Sequence, residues 1–347
     1  MITEIKDFNI RHLNTFRMNV SCGKFIEYDS PSDIPNILTS LTDGNYFHIG
    51  GGSNLLFTGD YPGTILHSRI LDMETISLDS SEVLIRAGAG IEMDSLIDQT
   101  CSSGLWGLEN LSGIPGEVGA AAVQNVGAYG VEAKDVIDTV ECYDNEKRTF
   151  VTLKKEDCEY GYRTSLFKQP ANKGRFIITH VTFRLTKNPR PVLDYGHVRS
   201  HITDINSISP MMIRSIIMDM RAEKLPEISI VGSAGSYFKN PVISRADYDI
   251  LLQAIETNET NCGADTPPHF EMENGVKIPA AWLIEKAGLK GFSLGNAATW
   301  HKQPLVIVNK NAKATPEEIL ALENYIIEEV HSKFGVRLTP EVEHVPN

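Results

Sequence analysis

The chain has 347 residues, 41% of them hydrophobic and 22% charged, with a formal net charge of −13, a composition that suits a folded chain of about two or three domains. The negative balance opposes adsorption to nucleic acid or anionic lipid. No run approaches the roughly 18 apolar residues of a membrane span, and the start MITEIKDFNI has neither a basic n-region nor an apolar h-region, so a cytoplasmic chain with no nucleic-acid or membrane partner is expected. Five scattered cysteines (Cys22, Cys101, Cys142, Cys158 and Cys262) form no C-x-x-C pair, so they read as buried, reduced thiols, and no metal site is expected.

In chain order, SPSDIPNILTSLTD carries a capped helix, and from Phe47 to Leu66 the pattern is strand, glycine loop, short strand, turn, strand. Next, SEVLIRAG reads as a strand, followed by a glycine turn and an amphipathic helix with Met93, Leu96 and Ile97 on one side, ending near Gly104. The stretch SGIPGEVGAAAVQNVGAYG is rich in glycine around three alanines, as expected where main chain closely approaches a ligand. After Val136 the signals suit an antiparallel sheet, with Ile177, Val181, Phe183 and Leu185 expected on one side. A helix follows in SPMMIRSIIMDMRAEKLP, with Ile213, Ile216, Ile217 and Met220 at helical spacing. Near the end, Thr315 to Glu318 form a capping box with Pro316 at the first helical position; Ile319, Leu322, Ile326 and Val330 make the buried stripe, and Gly335 stops the helix. Boundaries are expected near residues 70 and 220.

The loop HIGGGSNLLF (48–57) raises the functional question. A Rossmann fingerprint on Gly50 and Gly52 would need glycine at Leu55, and a P-loop would need a lysine after the last glycine; neither is met. From Tyr46 to Leu66 there is no Lys or Arg, so a phosphate held here would rely on main-chain N–H groups with Ser53 and Asn54 as neutral donors. A tight strand connection without a ligand is the plain alternative.

The segments IGGGSNLLF, GLENLSGIPGEVGAAAVQNVGAYGVE, YGYRTSLFK, GSAGSYFKNP, PAAWLIEKAGLKG and LTPEV occur in that order, and together they resemble the UDP-N-acetylenolpyruvoylglucosamine reductase family. The resemblance runs from Asn14 to Pro340. It implies an α+β chain: an FAD-binding fold of the vanillyl-alcohol-oxidase type, with two α/β subdomains (1–70, and 71–219 joined by 336–347), plus a smaller α+β substrate-binding domain (220–335). It also implies FAD as cofactor, NADPH as co-substrate, and conversion of UDP-N-acetylglucosamine enolpyruvate to UDP-N-acetylmuramate in peptidoglycan precursor synthesis, by a monomer. RPVLDYGHV resembles the tyrosine-bearing loop of the longer, type I members.

The resemblance assigns cofactor contacts to Gly50, Gly51, Gly52, Ser53, Asn54, Leu55, Gly113, Ile114, Gly119 and Asn125, and substrate contacts to Tyr195, Lys224 and Asn240. Hydride addition to the enolpyruvyl β-carbon drives charge onto the α-carbon and carboxylate, so an anion stabiliser and a proton donor are needed. Arg163 matches the carboxylate-binding arginine, whose planar fork grips both oxygens. Glu341 matches an acidic partner that hydrogen-bonds the same carboxylate when protonated, and Ser236 matches the general acid, weak but adequate toward a carbanion-like centre. Read alone, each has an ordinary alternative: a strand or turn arginine, a solvated glutamate, a turn serine, a surface lysine at 224, a turn asparagine at 240. Two departures from the family pattern are visible. Ala120 to Ala122 replace a serine-bearing run, leaving only main chain to meet a flavin there, and Tyr237 stands where phenylalanine is common, a change expected to be neutral for the chemistry. A flavin oxidase of similar fold, or a nucleotide-sugar binding protein without catalysis, remain the competing readings.

Overall fold

A computed structural model describes residues 1–41, 44–257 and 266–345. The chain folds as two compact units: Met1–Phe8, Cys22–Gly51 and Pro62–Arg221 form the first, and Asn9–Ser21, Gly52–Tyr61 and Ala222–Asn347 the second. The chain passes from one to the other inside the triple-glycine loop, between Gly51 and Gly52. Among the described residues no helix is long and apolar enough to cross a membrane.

The first unit opens with a four-stranded sheet in the order Ile2–Asn9, Ser21–Tyr28, Tyr61–Ser68, Tyr46–Ile49. The last two strands are parallel, with Ile49 opposite His67. The parallel pairing sets the direction of the chain entering the glycines. Helix α1 (Ile34–Ser40) covers this sheet with Ile34 and Ile37, which pack with Ile26, Tyr28, Leu66 and Ile70.

The second sheet of this unit is antiparallel, ordered Thr149–Lys154, Ile137–Asp144, Phe176–Thr186, Glu82–Gly88, Met73–Ser77. Helices α2 (Met93–Ser102) and α3 (Val118–Gln124) bury Met93, Leu96, Ile97, Val118, Ala121 and Ala122 against Val181, Phe183 and Leu185. Ile177 departs from the expected face. Register moves from Glu141 opposite His180 to Cys142 opposite Ile178, leaving Thr179 as an extra residue; such a bulge flips the alternation, so Ile178 joins Val181 in one core and Ile177 joins Tyr143 in the other. Helix α4 (Pro210–Lys224) buries Ile213, Ile217 and Met220 with Trp106, Leu193 and Val198, while Ile216 packs at the margin. Arg214 on α4 grips Asp94 of α2 through two bonds of 2.5 and 2.8 Å.

The second unit has an antiparallel sheet, Gly232–Ser236, Val306–Asn309, Ala297–Thr299, Ser293–Leu294, and a smaller one, Val242–Ile243, Gly275–Lys277, Phe270–Met272. Helices α5 (Arg245–Glu256), α6 (Ala280–Lys286) and α7 (Pro316–Phe334) complete it. α7 carries the expected capping box between Thr315 and Glu318, buries Ile319, Leu322, Ile326 and Val330, and ends at Gly335 with φ +69°. The short strand after the glycines, Leu55–Phe57, pairs in parallel with Glu343–Val345 at the far end of the chain. Cys22, Cys101, Cys142 and Cys158 are free and buried, and burial pushes the thiols of Cys101 and Cys142 up to about 12, leaving them unreactive; Cys262 lies outside the described residues.

Candidate active site

In the first unit, Gly50 and Gly51 lie against the head of α3. A Cβ on Gly50 would sit 2.9 Å from the Ala120 Cβ and 3.3 Å from Glu117 Oε2, and one on Gly51 would sit 3.4 Å from the Gly116 Cα. Glycine is therefore required at 50 by close packing against the helix head. Among the described residues, no acceptor takes the N–H groups of Gly51 or Gly52. Unclaimed main-chain donors in a glycine bend are the raw material of an anion nest.

The second glycine-rich segment is built just as tightly. Gly119, on α3, faces Ala89, whose Cβ would lie 2.9 Å from an added methyl, so the small-residue run serves the seating of α3 on the sheet. Gly113 adopts φ +71° and its N–H donates to Asp94 Oδ1 at 2.6 Å. Burial would raise the Asp94 carboxyl, but Arg214 and the Gly113 N–H outweigh it and hold it below the usual carboxylate range. Ile114 follows, its N–H directed to the Leu111 carbonyl at 3.4 Å. Asn125 ends α3 in the left-handed region and is fully buried. Its amide donates to Gly161 O and Glu132 Oε2, and its carbonyl accepts from Lys134 N–H, so the side chain ties the Arg163 turn to the helix end.

Arg163 stands at φ +54° on a two-residue turn closed by Gly161 and Thr164. Its Nη2 donates to Gly127 O at 2.7 Å, and the guanidinium lies 5.3 Å from the centre of the Tyr162 ring. A non-glycine residue held at positive φ carries conformational strain, which suits a side chain whose direction matters. Three residues on from Gly127, Gly130 contacts the Tyr195 loop: a Cβ there would sit 3.1 Å from the Tyr195 Cβ. Asn110 fastens that loop by donating to both Tyr129 O and Val192 O. The segment 125–130 thus gathers Arg163 and the half-exposed Tyr195 in one neighbourhood.

Arg221, one turn before Lys224 on α4, was not singled out from sequence. Its Nε lies 3.1 Å from the position of a Gly113 Cβ, burial holds its pKa below the ordinary value, and among the described residues no carboxylate forms an ion pair with it. The only sequence signal is an arginine on the inward turn of an otherwise apolar helical stripe.

In the second unit the segment after strand Gly232–Ser236 runs antiparallel to the chain end. Phe238 bridges Pro340, Glu341 N–H donates to Tyr237 O at 2.8 Å, and Lys239 N–H donates to Thr339 O at 2.9 Å. Ser236, exposed after Gly235 at φ +70°, and half-buried Glu341 therefore sit on paired neighbouring segments. Asn54 joins them: its amide donates to Glu341 O and its main-chain carbonyl accepts from Glu343 N–H. Gly52 is held by its carbonyl to Thr15 N–H, Ser53 is half-buried, and Leu55 pairs in register with Glu343. Asn240 Oδ1 accepts from Ala280 N–H at the start of α6, and Lys224 is exposed. The hydroxyl that distinguishes Tyr237 from phenylalanine donates to Glu323 of α7, which also meets His344 Nε2 at 2.9 Å. Arg163 and Tyr195 belong to the first unit, and Ser236, Glu341, Lys224 and Asn240 to the second. Among the described residues no group of His, Cys, Asp or Glu could hold a metal ion.

The UDP-N-acetylenolpyruvoylglucosamine reductase of Bacteroides fragilis (strain YCH46) is 42% identical over 336 residues, covering 96% of this chain and 97% of its own. The chain belongs to the UDP-N-acetylenolpyruvoylglucosamine reductase family. The reductase of that name from Neisseria gonorrhoeae (strain ATCC 700825 / FA 1090) is 38% identical, covering 96% of this chain and 95% of its own. Residues 25–153 match the FAD binding domain family, and residues 226–345 match the C-terminal domain of the UDP-N-acetylenolpyruvoylglucosamine reductases. The crystal structure of UDP-N-acetylenolpyruvylglucosamine reductase from Thermus caldophilus superposes with a TM-score of 0.65 at 21% identity, covering 100% of this chain and 99% of that one. The protein is accordingly an FAD-containing oxidoreductase with an α+β architecture. Both glycine segments of the first unit fall inside the FAD-binding match. Their chemistry fits that cofactor: an unclaimed main-chain donor at Gly51 for a phosphate group, and no lysine or arginine in the loop.

Proposed function

We propose that this chain reduces UDP-N-acetylglucosamine enolpyruvate to UDP-N-acetylmuramate with electrons from NADPH, as a cytoplasmic monomer supplying peptidoglycan precursor synthesis. The reading is supported by the likeness to the reductases over 96% of the chain, together with the antiparallel pairing of the Tyr237–Lys239 segment, which follows Ser236, with Thr339–Glu341. In this reading residues 1–70 and 71–219 cradle the FAD, through Gly50 to Leu55, Gly113, Ile114, Gly119 and Asn125, and 220–335 receive the substrate. FAD, when bound there, would supply the two-electron chemistry that links NADPH to the enolpyruvyl β-carbon.

The chain's own residues manage charge and proton. Arg163 holds the substrate carboxylate with its guanidinium fork, lowering the energy of the anion that builds on the α-carbon. Glu341 acts with Arg163 in stabilising that anion. The Ser236 hydroxyl gives its proton to the α-carbon and recovers one from solvent, so each turnover consumes one NADPH and one proton and forms one C–H bond at each carbon. Tyr195, Lys224 and Asn240 hold the nucleotide diphosphate and sugar, supplying local donors that a chain of net charge −13 otherwise lacks.

Purified protein is expected to be yellow with stoichiometric flavin, and to convert UDP-N-acetylglucosamine enolpyruvate to the lactyl ether, two hydrogens heavier by mass, when given NADPH. Colourless protein that cannot be reconstituted with FAD would remove the reading. Flavoprotein that oxidises NADPH without forming the lactyl product would point instead to a flavin oxidase.

A further inference from the structure

Behind the triple glycine lies a buried array that the reaction scheme does not use. His67, 4% exposed, sits in the parallel strand beside Ile49. Its Nδ1 is 2.8 Å from Glu27 Oε1 in the neighbouring strand of the same sheet, and its Nε2 is 2.8 Å from Glu117 Oε1. Glu117 is itself buried and occupies the cap position of α3, yet it makes no side-chain bond to that helix. A carboxylate at such a position ordinarily turns onto the first N–H groups of its own helix. Here it turns away to the histidine, and its Oε2 lies 3.3 Å from where a Gly50 Cβ would be.

The contacts call for a charged ring. A neutral imidazole has one N–H and donates to one acceptor. Both ring nitrogens of His67 face carboxylate oxygens at hydrogen-bond distance, so the ring satisfies both as imidazolium. Its surroundings agree. Burial alone would lower the His67 pKa, but Glu117 and Glu27 together raise it. His48, on the adjoining strand, is lowered to about 3 by burial and by the His67 charge, and its Nε2 pairs with the Tyr28 hydroxyl. Glu27, Glu117 and His48 are thus the titratable groups facing His67 from the strands and helix packed on it.

We propose that His67, oriented by Glu27, is a positioning residue for flavin capture: it folds the Glu117 carboxylate back onto the sheet and offsets its charge, so that the main-chain N–H of Gly51 can receive an anionic phosphate group. Without that clamp, a buried carboxylate would stand uncompensated against the loop and repel the ligand the loop is shaped for. The inference rests on the reading of this loop as the diphosphate site of FAD.

The test is FAD affinity of deflavinated protein, followed by flavin fluorescence quenching. His67→Asn is expected to weaken FAD binding roughly tenfold or more, and His67→Asn/Glu117→Gln to restore it, because the offending charge is gone. Wild-type affinity should fall as pH rises through the His67 titration, and Glu117→Gln should flatten that profile. Unchanged affinity in His67→Asn, or loss that Glu117→Gln does not rescue, would overturn the proposal while leaving FAD binding by the wild type intact. Wild type that binds no FAD would overturn the loop reading and the proposal with it. Should His67→Asn fail to fold, Glu117→Gln alone still decides: it is expected to bind FAD at least as tightly as wild type, and tenfold weaker binding would refute the charge argument.

Discussion

Ser236 is exposed, while its neighbour Tyr237 is fully buried with its hydroxyl on Glu323. Substitutions at the two positions are therefore expected to separate chemistry from stability. Ser236→Ala should leave reduction of the flavin by NADPH near normal and slow the half-reaction with the enolpyruvyl substrate by about 10²-fold or more, as loss of a proton donor does; stopped-flow measurement of each half-reaction checks it, and equal slowing of both would refute the role. Tyr237→Phe removes the hydroxyl from a carboxylate that is 6% exposed and shared with His344. Leaving such an acceptor short of a donor costs about 1–3 kcal/mol, so denaturant midpoints should fall while the half-reaction rates hold. An unchanged midpoint would mean that His344 alone satisfies Glu323.

Elements with a local cause were legible in the sequence, and elements with a distant cause were not. Thr315, Pro316, Glu318 and Gly335 write both ends of α7 within their own neighbourhood, and the helix follows them. Nothing local says that Leu55–Phe57 pairs with Glu343–Val345, or that Thr179 is a bulge that reverses the faces of Ile177 and Ile178. The candidate site divides in the same way. Motif-bearing residues such as Arg163, Ser236 and Glu341 stood out, whereas Glu27, His67 and Glu117 are 40 and 50 residues apart and meet only through sheet register and the seating of α3. The glycine loop shows both causes at one position. Gly52 has φ +60°, and a Cβ there would lie 2.0 Å from the Leu13 carbonyl oxygen; Gly104, ending α2 at φ +73°, has nothing within 4 Å. Gly104→Ala should cost about 1 kcal/mol for the left-handed backbone alone, and Gly52→Ala distinctly more because main chain must also move. Equal costs in urea titrations would show that the loop relaxes around the methyl.

At the scale of the whole molecule, the charge is the feature that sets conditions for catalysis. A chain of net charge −13 surrounds itself with a potential that repels NADPH, FAD and a UDP-sugar alike, while the groups that would bind them act over a few ångströms. Salt distinguishes the two ranges, because the screening length falls from about 30 Å near 10 mM to about 10 Å near 100 mM. Long-range repulsion is largely lost over that interval, whereas close contacts to main-chain N–H groups and to side chains such as Arg163 and Lys224 are screened much less. The association rate of NADPH with the oxidised flavoprotein is therefore expected to rise, and its KM to fall, by roughly two- to threefold as salt increases across this range. A KM that instead climbs with salt would mean that a local cluster of positive side chains already overrides the global field at encounter distance, and that capture, like binding, is governed by the site alone.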